Sequence, residues 1–358
     1  MRNLALALFA VFAIELERPF TAFAVDHFKL LDVQVGDQRH SGRIMIHDNQ
    51  SCWLLKRDGR LQEIAVEEVT DFVERSDRFK SLTQIELKNQ LRSEFGKSFE
   101  VFTTQHYVVA ARTGDAGHYA GVFEQIYRDF VRSFRTRGLH VDEPEFPLIA
   151  IVFPDQAGFV NYCRTERTPV QPGLLGYYLP SSNRVAMYQR PNALDVDSVV
   201  IHEATHQIAF NTGVHSRLAD HPKWVVEGLA TVFESDGVRI RTSSNRPAER
   251  VNRERYLWFL EYSKLRRSAN TLTSLISENR LFETAVLDAY SEAWALSFFL
   301  LETRPADYAR YLKVLAEREP LKTYDSPSRL KDFTEVFGSD FGELDTRLLR
   351  FIRRIAER

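Results

Sequence analysis

Val200-Ile201-His202-Glu203-Ala204-Thr205-His206-Gln207, followed by Trp224-Val225-Val226-Glu227-Gly228-Leu229-Ala230, decides how this chain is read. On an α-helix, residues four apart share a face one turn apart, so both imidazoles can reach one ion. Glu203, one residue further round, can lie against a water held by that ion. Glu227, on a second helix, can add a third ligand. Two imidazoles, one carboxylate and an open position form the ligand set of a catalytic zinc site rather than a closed structural one.

The spacing predicts the first metal helix over Asp195 to Thr212. Asp195 and Asp197 favour a helix N-terminus, and Gly213 suits a helix end. Val196, Val200, Ala204 and Ile208 repeat at i, i+4, and Val199 and Ile201 widen the stripe, so the helix is expected to be largely buried. Two histidines and a glutamate there are costly to desolvate unless something satisfies them. A divalent ion does so; the competing reading is two core histidines bonded to backbone carbonyls. Pro222 suits the first turn of the second helix, and Trp224, Val225, Leu229 and Val232 supply its apolar face. Glu227 has no apolar reason to stand among them, 21 positions after His206. Gly228 beside it allows another helix to approach closely, at some intrinsic cost.

The 358 residues suffice for one large domain or a few modest ones. A net charge of −2 and the lack of a long basic run argue against a nucleic-acid partner. Arg2, the apolar stretch from Leu4 to Ile14, and Ala22-Phe23-Ala24 before Val25 predict a signal peptide over 1–24, and hence export to the periplasm or beyond. Glu15, Glu17 and Arg18 make that stretch more charged than usual. No later segment is apolar enough to span a membrane, so no span is expected in the mature chain. Cys52 and Cys163 fall in what read as different domains and are expected to be free and buried.

Around the metal helices the expected fold class is α+β. Short strands such as Ser41-Gly42-Arg43-Ile44-Met45-Ile46 and Cys52-Trp53-Leu54-Leu55 are punctuated by turn signals at Gly36-Asp37, Asp48-Asn49 and Asp58-Gly59. They predict a small SH3-like β-barrel over 26–75, either docking a partner or serving as a folding appendage. A helical linker over 76–98 follows. A metallopeptidase-like domain is expected over 99–318, with a mixed sheet and a mainly helical C-terminal half. Its elements include a strand pair near 99–110, a core helix bearing Tyr119 to Phe134, and a buried strand at Leu148 to Phe153. A hairpin is expected at Gly176 to Leu179 and Arg184 to Tyr188. Arg241 to Arg253 reads as a surface loop. The break at Glu319 to Ser328 opens a C-terminal helical tail over 319–358.

His-Glu-Ala-Thr-His at 202–206 with Glu227-Gly228-Leu229-Ala230 resembles the gluzincins, the thermolysin-like zinc metallopeptidases. The longer stretches quoted above are similar to those of a largely uncharacterised bacterial family of metallopeptidases predicted to be exported. The resemblance covers about residues 99 to 315. It implies that His202, His206 and Glu227 bind one Zn2+ per chain. It further implies hydrolysis of a peptide or protein substrate through a metal-activated water, with Glu203 as general base. The strand Arg184-Val185-Ala186-Met187 is then expected at a sheet edge, where an extended substrate binds by strand addition.

Two departures stand out. Thermolysin-like enzymes use a histidine well downstream of the third ligand to stabilise the oxyanion, yet here all ten histidines lie at or before His221. Tyr290 is the candidate replacement; the competing reading is a tyrosine packed at a helix start. Thr231 stands where relatives often carry an acid that orients a ligand histidine, so that acceptor must come from elsewhere. Two other functions compete with the peptidase: a metal-bearing scaffold whose barrel recruits a partner, and a hydrolase of a non-peptide amide.

Overall fold

The computed structural model describes residues 29–47, 50–189, 198–239 and 246–356. The stretch read as a signal peptide, Asp195, Asp197 and part of the 241–253 loop lie outside them. Two five-stranded sheets precede a helical half. The first comprises β1 (Lys29–Val35), β2 (Gln38–His47), β3 (Ser51–Lys56), β4 (Leu61–Ala65) and β5 (Val69–Arg78), in the order β4-β3-β2-β1-β5. Its register is antiparallel throughout. The edge strands β4 and β5 do not pair with each other among the described residues, so the sheet is open and the expected closed SH3-like barrel is not seen. β5 also runs past the expected boundary at residue 75. The helical part of the linker shortens to α1 (Gln84–Phe95), which starts at a reciprocal Thr83–Glu86 capping box.

The second sheet comprises β6 (Phe99–Thr103), β7 (Tyr107–Arg112), β8 (Leu148–Phe153), β9 (Gly176–Leu179) and β10 (Arg184–Tyr188), in the order β6-β7-β8-β10-β9. β7, β8 and β10 are parallel, and the two outer strands are antiparallel. β8 is the buried strand its apolar run predicts. α2 (Ala116–Thr136) covers one face; α1 and α3 (Gln156–Thr165) cover the other, where Leu87, Leu91, Phe159 and Cys163 pack on Val108, Ile149 and Ile151. Cys52 and Cys163 are both free and buried, as expected.

One sequence expectation fails here. Arg184 to Met187 lie on β10, which pairs with β8 on one side and β9 on the other. β10 is therefore interior, with no free hydrogen-bonding edge for strand addition. The guanidinium of Arg184 is buried and held by Glu94 at 2.7 and 3.1 Å, so it tethers α1 to the sheet. Both hairpin strands are apolar, and nothing in their pattern tells an edge strand from an inner one. The edge falls to β9.

The helical half runs α4 (Ser198–Asn211), α5 (Lys223–Phe233), α6 (Arg253–Leu265), α7 (Thr271–Ser277), α8 (Val286–Thr303), α9 (Pro305–Ala316), α10 (Ser326–Phe337) and α11 (Phe341–Ala356). Gly213 follows α4 with φ +77°, the left-handed conformation that ends a helix at glycine. Pro222 caps α5 one position before its expected place in the first turn. α8 is apolar on almost all sides and forms the hub, as a helix without a solvent face must. One continuous core joins α2, the underside of the sheet, α4, α5 and α8, and reaches Phe333 on α10 and Leu348 and Ile352 on α11. The last two helices thus share the core of the metal helices.

α5 and α8 touch at Gly228. A Cβ there would stand 2.3 Å from the Ser297 hydroxyl and 2.5 Å from the Ala293 carbonyl oxygen. Backbone cannot swing aside as a side-chain tip can. Gly228→Ala is expected to destabilise the fold by about 1–3 kcal/mol despite its better helix propensity, measured by urea unfolding.

The loop from α4 to α5 buries two further imidazoles. His215 and His221 lie with ring centroids 5.1 Å apart, both against Phe210. Burial lowers both pKa values: His221 to about 4, and His215 well below the histidine range. In the unfolded chain they take protons near pH 6.5. The folded state binds fewer protons, so stability is intact above about pH 6.5 and is lost as pH falls towards the folded value. Chelator-treated protein should lose about 2–3 kcal/mol per imidazole on going from pH 7 to pH 4.5, with His221→Gln removing one share of the dependence in urea titrations.

Candidate metal centre

α4 carries His202 and His206 on one face, one turn apart, and α5 crosses it so that Glu227 meets them. His202 Nε2 and His206 Nε2 are 3.0 Å apart. Glu227 Oε2 stands 3.1 Å from the first and 3.5 Å from the second. Ligand atoms about 2.0–2.1 Å from a tetrahedral zinc ion lie roughly 3.3 Å from one another. The triangle therefore has the size that a single ion of this kind spans, and it is the one such cluster among the described residues.

The electrostatics point the same way. Burial alone would raise the Glu227 carboxyl pKa, yet the His206 and His202 rings outweigh it and hold it far below the usual carboxylate range. Burial would lower His202, but Glu227 and Glu234 push it well above the usual histidine value. A pocket that favours an added proton on an imidazole also favours a dication in its place. The donor set, spacing and field all fit zinc.

The orienting acid missing at Thr231 is supplied two turns after Glu227. Glu234 Oε1 accepts from His202 Nδ1 at 2.8 Å, which leaves the Nε2 lone pair facing the other ligands. Its second oxygen accepts from Asn252 Nδ2 at 2.7 Å, at the N-cap of α6. Thr231 instead spends its hydroxyl on its own helix, donating to the Glu227 and Gly228 carbonyls. The signal for Glu234 was present: seven residues brings a helix back to nearly the same face. Asn252 had no such signal, because only the fold brings α6 to the end of α5.

Glu203 stands beside the triangle. Its Oε2 accepts the backbone N–H of Tyr178 at 2.7 Å, so edge strand β9 fixes one carboxylate oxygen. Tyr290, one turn into α8, places its ring 6.3 Å from that of His202. Burial, then the charge and hydrogen-bonding reach of Glu227, push its hydroxyl far above the usual tyrosine pKa. The structure thus brings together His202, Glu203, His206, Glu227 and Tyr290. It separates from them Arg184, Val185, Ala186 and Met187, which lie inside the sheet.

Residues 196–322 match a family model described as a protein of unknown function, DUF1570. No curated protein matches the chain. Among solved structures, an M1 zinc metallopeptidase from Deinococcus radiodurans is similar at 17% identity and TM-score 0.39, over 71% of this chain and 50% of that one. A mutant of an M1 zinc metallopeptidase from the same organism, bound to a Tyr-Ser-Ala substrate, gives 17% and 0.38 over 70% and 49%. A two-domain M1 zinc metallopeptidase mutant bound to L-arginine gives 16% and 0.40 over 71% and 51%. The chain spans about half the length of these enzymes.

Glu234 should matter to the metal rather than to the fold. Glu234→Ala is expected to weaken zinc binding about 10–100-fold, while Glu203→Gln leaves it within a few-fold, read by competition with a chromophoric chelator. Affinity should fall as pH drops, and in Glu203→Gln the fall should begin above the ordinary histidine range, because His202 holds its proton more tightly than a free imidazole and must shed it to bind.

Proposed function

We propose that this chain is a zinc-dependent peptidase, with His202, His206 and Glu227 as ligands and Glu203 as general base. The observation that carries the reading is the convergence of the three ligand atoms at 3.0–3.5 Å, with Glu203 held at their side. A site kept for structure alone has no use for a carboxylate fixed there by a backbone N–H.

When bound, zinc supplies a Lewis acid for the scissile carbonyl and lowers the pKa of a water molecule to about 7. The protein residues do the rest. With Oε2 held by Tyr178, Glu203 has its other oxygen to take a proton and pass it to the leaving nitrogen. The Tyr290 hydroxyl keeps its proton at neutral pH and can donate to negative charge developing on the carbonyl oxygen. Glu234 holds His202 in the tautomer the site requires. An extended peptide would lie along β9, whose outer edge already meets Glu203. The N-terminal stretch read as a secretory signal makes the proposed enzyme an exported one, and the open sheet β1–β5 is the proposed docking or folding appendage.

Purified zinc-loaded protein should cleave members of a broad peptide library. A chelator should abolish cleavage, and Glu203→Gln should lower it at least 100-fold with zinc content unchanged. Cleavage that survives Glu203→Gln, or its absence from zinc-loaded wild type, overturns the reading.

A further inference from the structure

Arg255 sits in the first turn of α6, directly after the Asn252 cap that grips Glu234, and its N–H donates to the Asn252 side chain at 3.3 Å. The guanidinium carbon lies over the Tyr290 ring, 5.5 Å from its centroid, and that ring is 6.3 Å from the ring of His202. The side chain is only 17% exposed, yet its sole acidic neighbour among the described residues is the adjacent Glu254, at 3.7 Å and 80% exposed. Its Nε is buried with no hydrogen-bond partner.

It shares the unpartnered Nε with Arg318, but in lacking a close carboxylate it is unlike its peers. Arg250, Arg267 and Arg318 are similarly or more deeply buried, and each holds a carboxylate at 2.8 Å or less. Nor are the nearby acids available. Glu203 is engaged by Tyr178, Glu227 by the imidazoles, and Glu234 by His202 and Asn252. A partly desolvated guanidinium that keeps some exposure and has no close carboxylate, beside a reaction centre, is a receptor for an anion at its terminal nitrogens. Its planar fork matches a carboxylate, whereas a neutral carbonyl would leave the charge uncompensated.

We propose that Arg255 binds a carboxylate of the peptide substrate, so that the enzyme prefers peptides bearing one close to the scissile bond on the α6–α8 side. This rests on the peptidase reading above. The carboxylate is either the peptide's C-terminus or an acidic side chain, and both present the same chemistry.

The test is calorimetric binding of short peptide hydroxamates, which engage the metal without turnover, to the zinc-loaded full chain. Three probes suffice: one ending in a free carboxylate, its C-terminal amide, and an amide carrying a glutamate side chain. Wild type should bind at least one carboxylate probe about 10–100-fold more tightly than the plain amide, the worth of one charge-assisted contact. The terminal and glutamate probes identify which source is read. Arg255→Gln should erase the preference while keeping zinc content and amide-probe affinity within about twofold, and Arg255→Lys should restore part of it. Equal affinity for all probes in wild type overturns the inference alone. So does a preference that survives Arg255→Gln, or an equal loss for every probe. Failure of every probe to bind zinc-loaded wild type overturns the peptidase reading, and this inference with it.

Discussion

Close contact between α5 and α8 at Gly228 is the constraint on which the centre depends. Without a side chain at that position, the two helices meet backbone to side chain at distances no Cβ could tolerate. That contact sets where α5 lies; α5 carries Glu227, which completes the candidate ligand triangle, and ends at its C-cap Glu234, which accepts from His202. It also brings the ring of Tyr290 on α8 to 6.3 Å from that of His202. One residue without a side chain therefore governs three with chemistry.

The second constraint is the cost of polar groups in an apolar core. α4 and α5 are buried along most of their length, and neither could hold three ionisable ligands without compensation. Compensation comes in layers. The ligands face one another, Glu234 satisfies the outer nitrogen of His202, and Asn252 satisfies Glu234. On the other side the backbone of β9 satisfies Glu203. Such a network is stable only if every member is present, and it gives the site a single geometry. Arg255 breaks the pattern, since its guanidinium has no close carboxylate and its Nε is buried without a hydrogen-bond partner. His215 and His221 break it differently, as neutral imidazoles kept from charging by burial.

Much of this was legible in residue order. Helical periodicity located α2, α4 and α5, and the apolar run located β8 over the residues it occupies. The hairpin was visible from its turn residues, Pro180-Ser181-Ser182-Asn183. What failed was pairing. β9 and β10 are equally apolar, and only the crossover from β8 decides which is inner, so the sheet edge was expected at the wrong strand. The first sheet was likewise seen strand by strand, but closure depends on whether β4 and β5 meet, and no local pattern encodes that.

The candidate ligand triad was legible in sequence alone, because two of its members are one helical turn apart and the third is an acid with no place on an apolar face. Turn periodicity is a local property, and a single chain displays it without a fold. The orienting carboxylate, the cap that holds it, the strand that grips Glu203 and the arginine beside Tyr290 were decided by tertiary structure. Each joins elements whose separation along the chain says nothing of their distance in space, and helix and sheet packing alone bring them together.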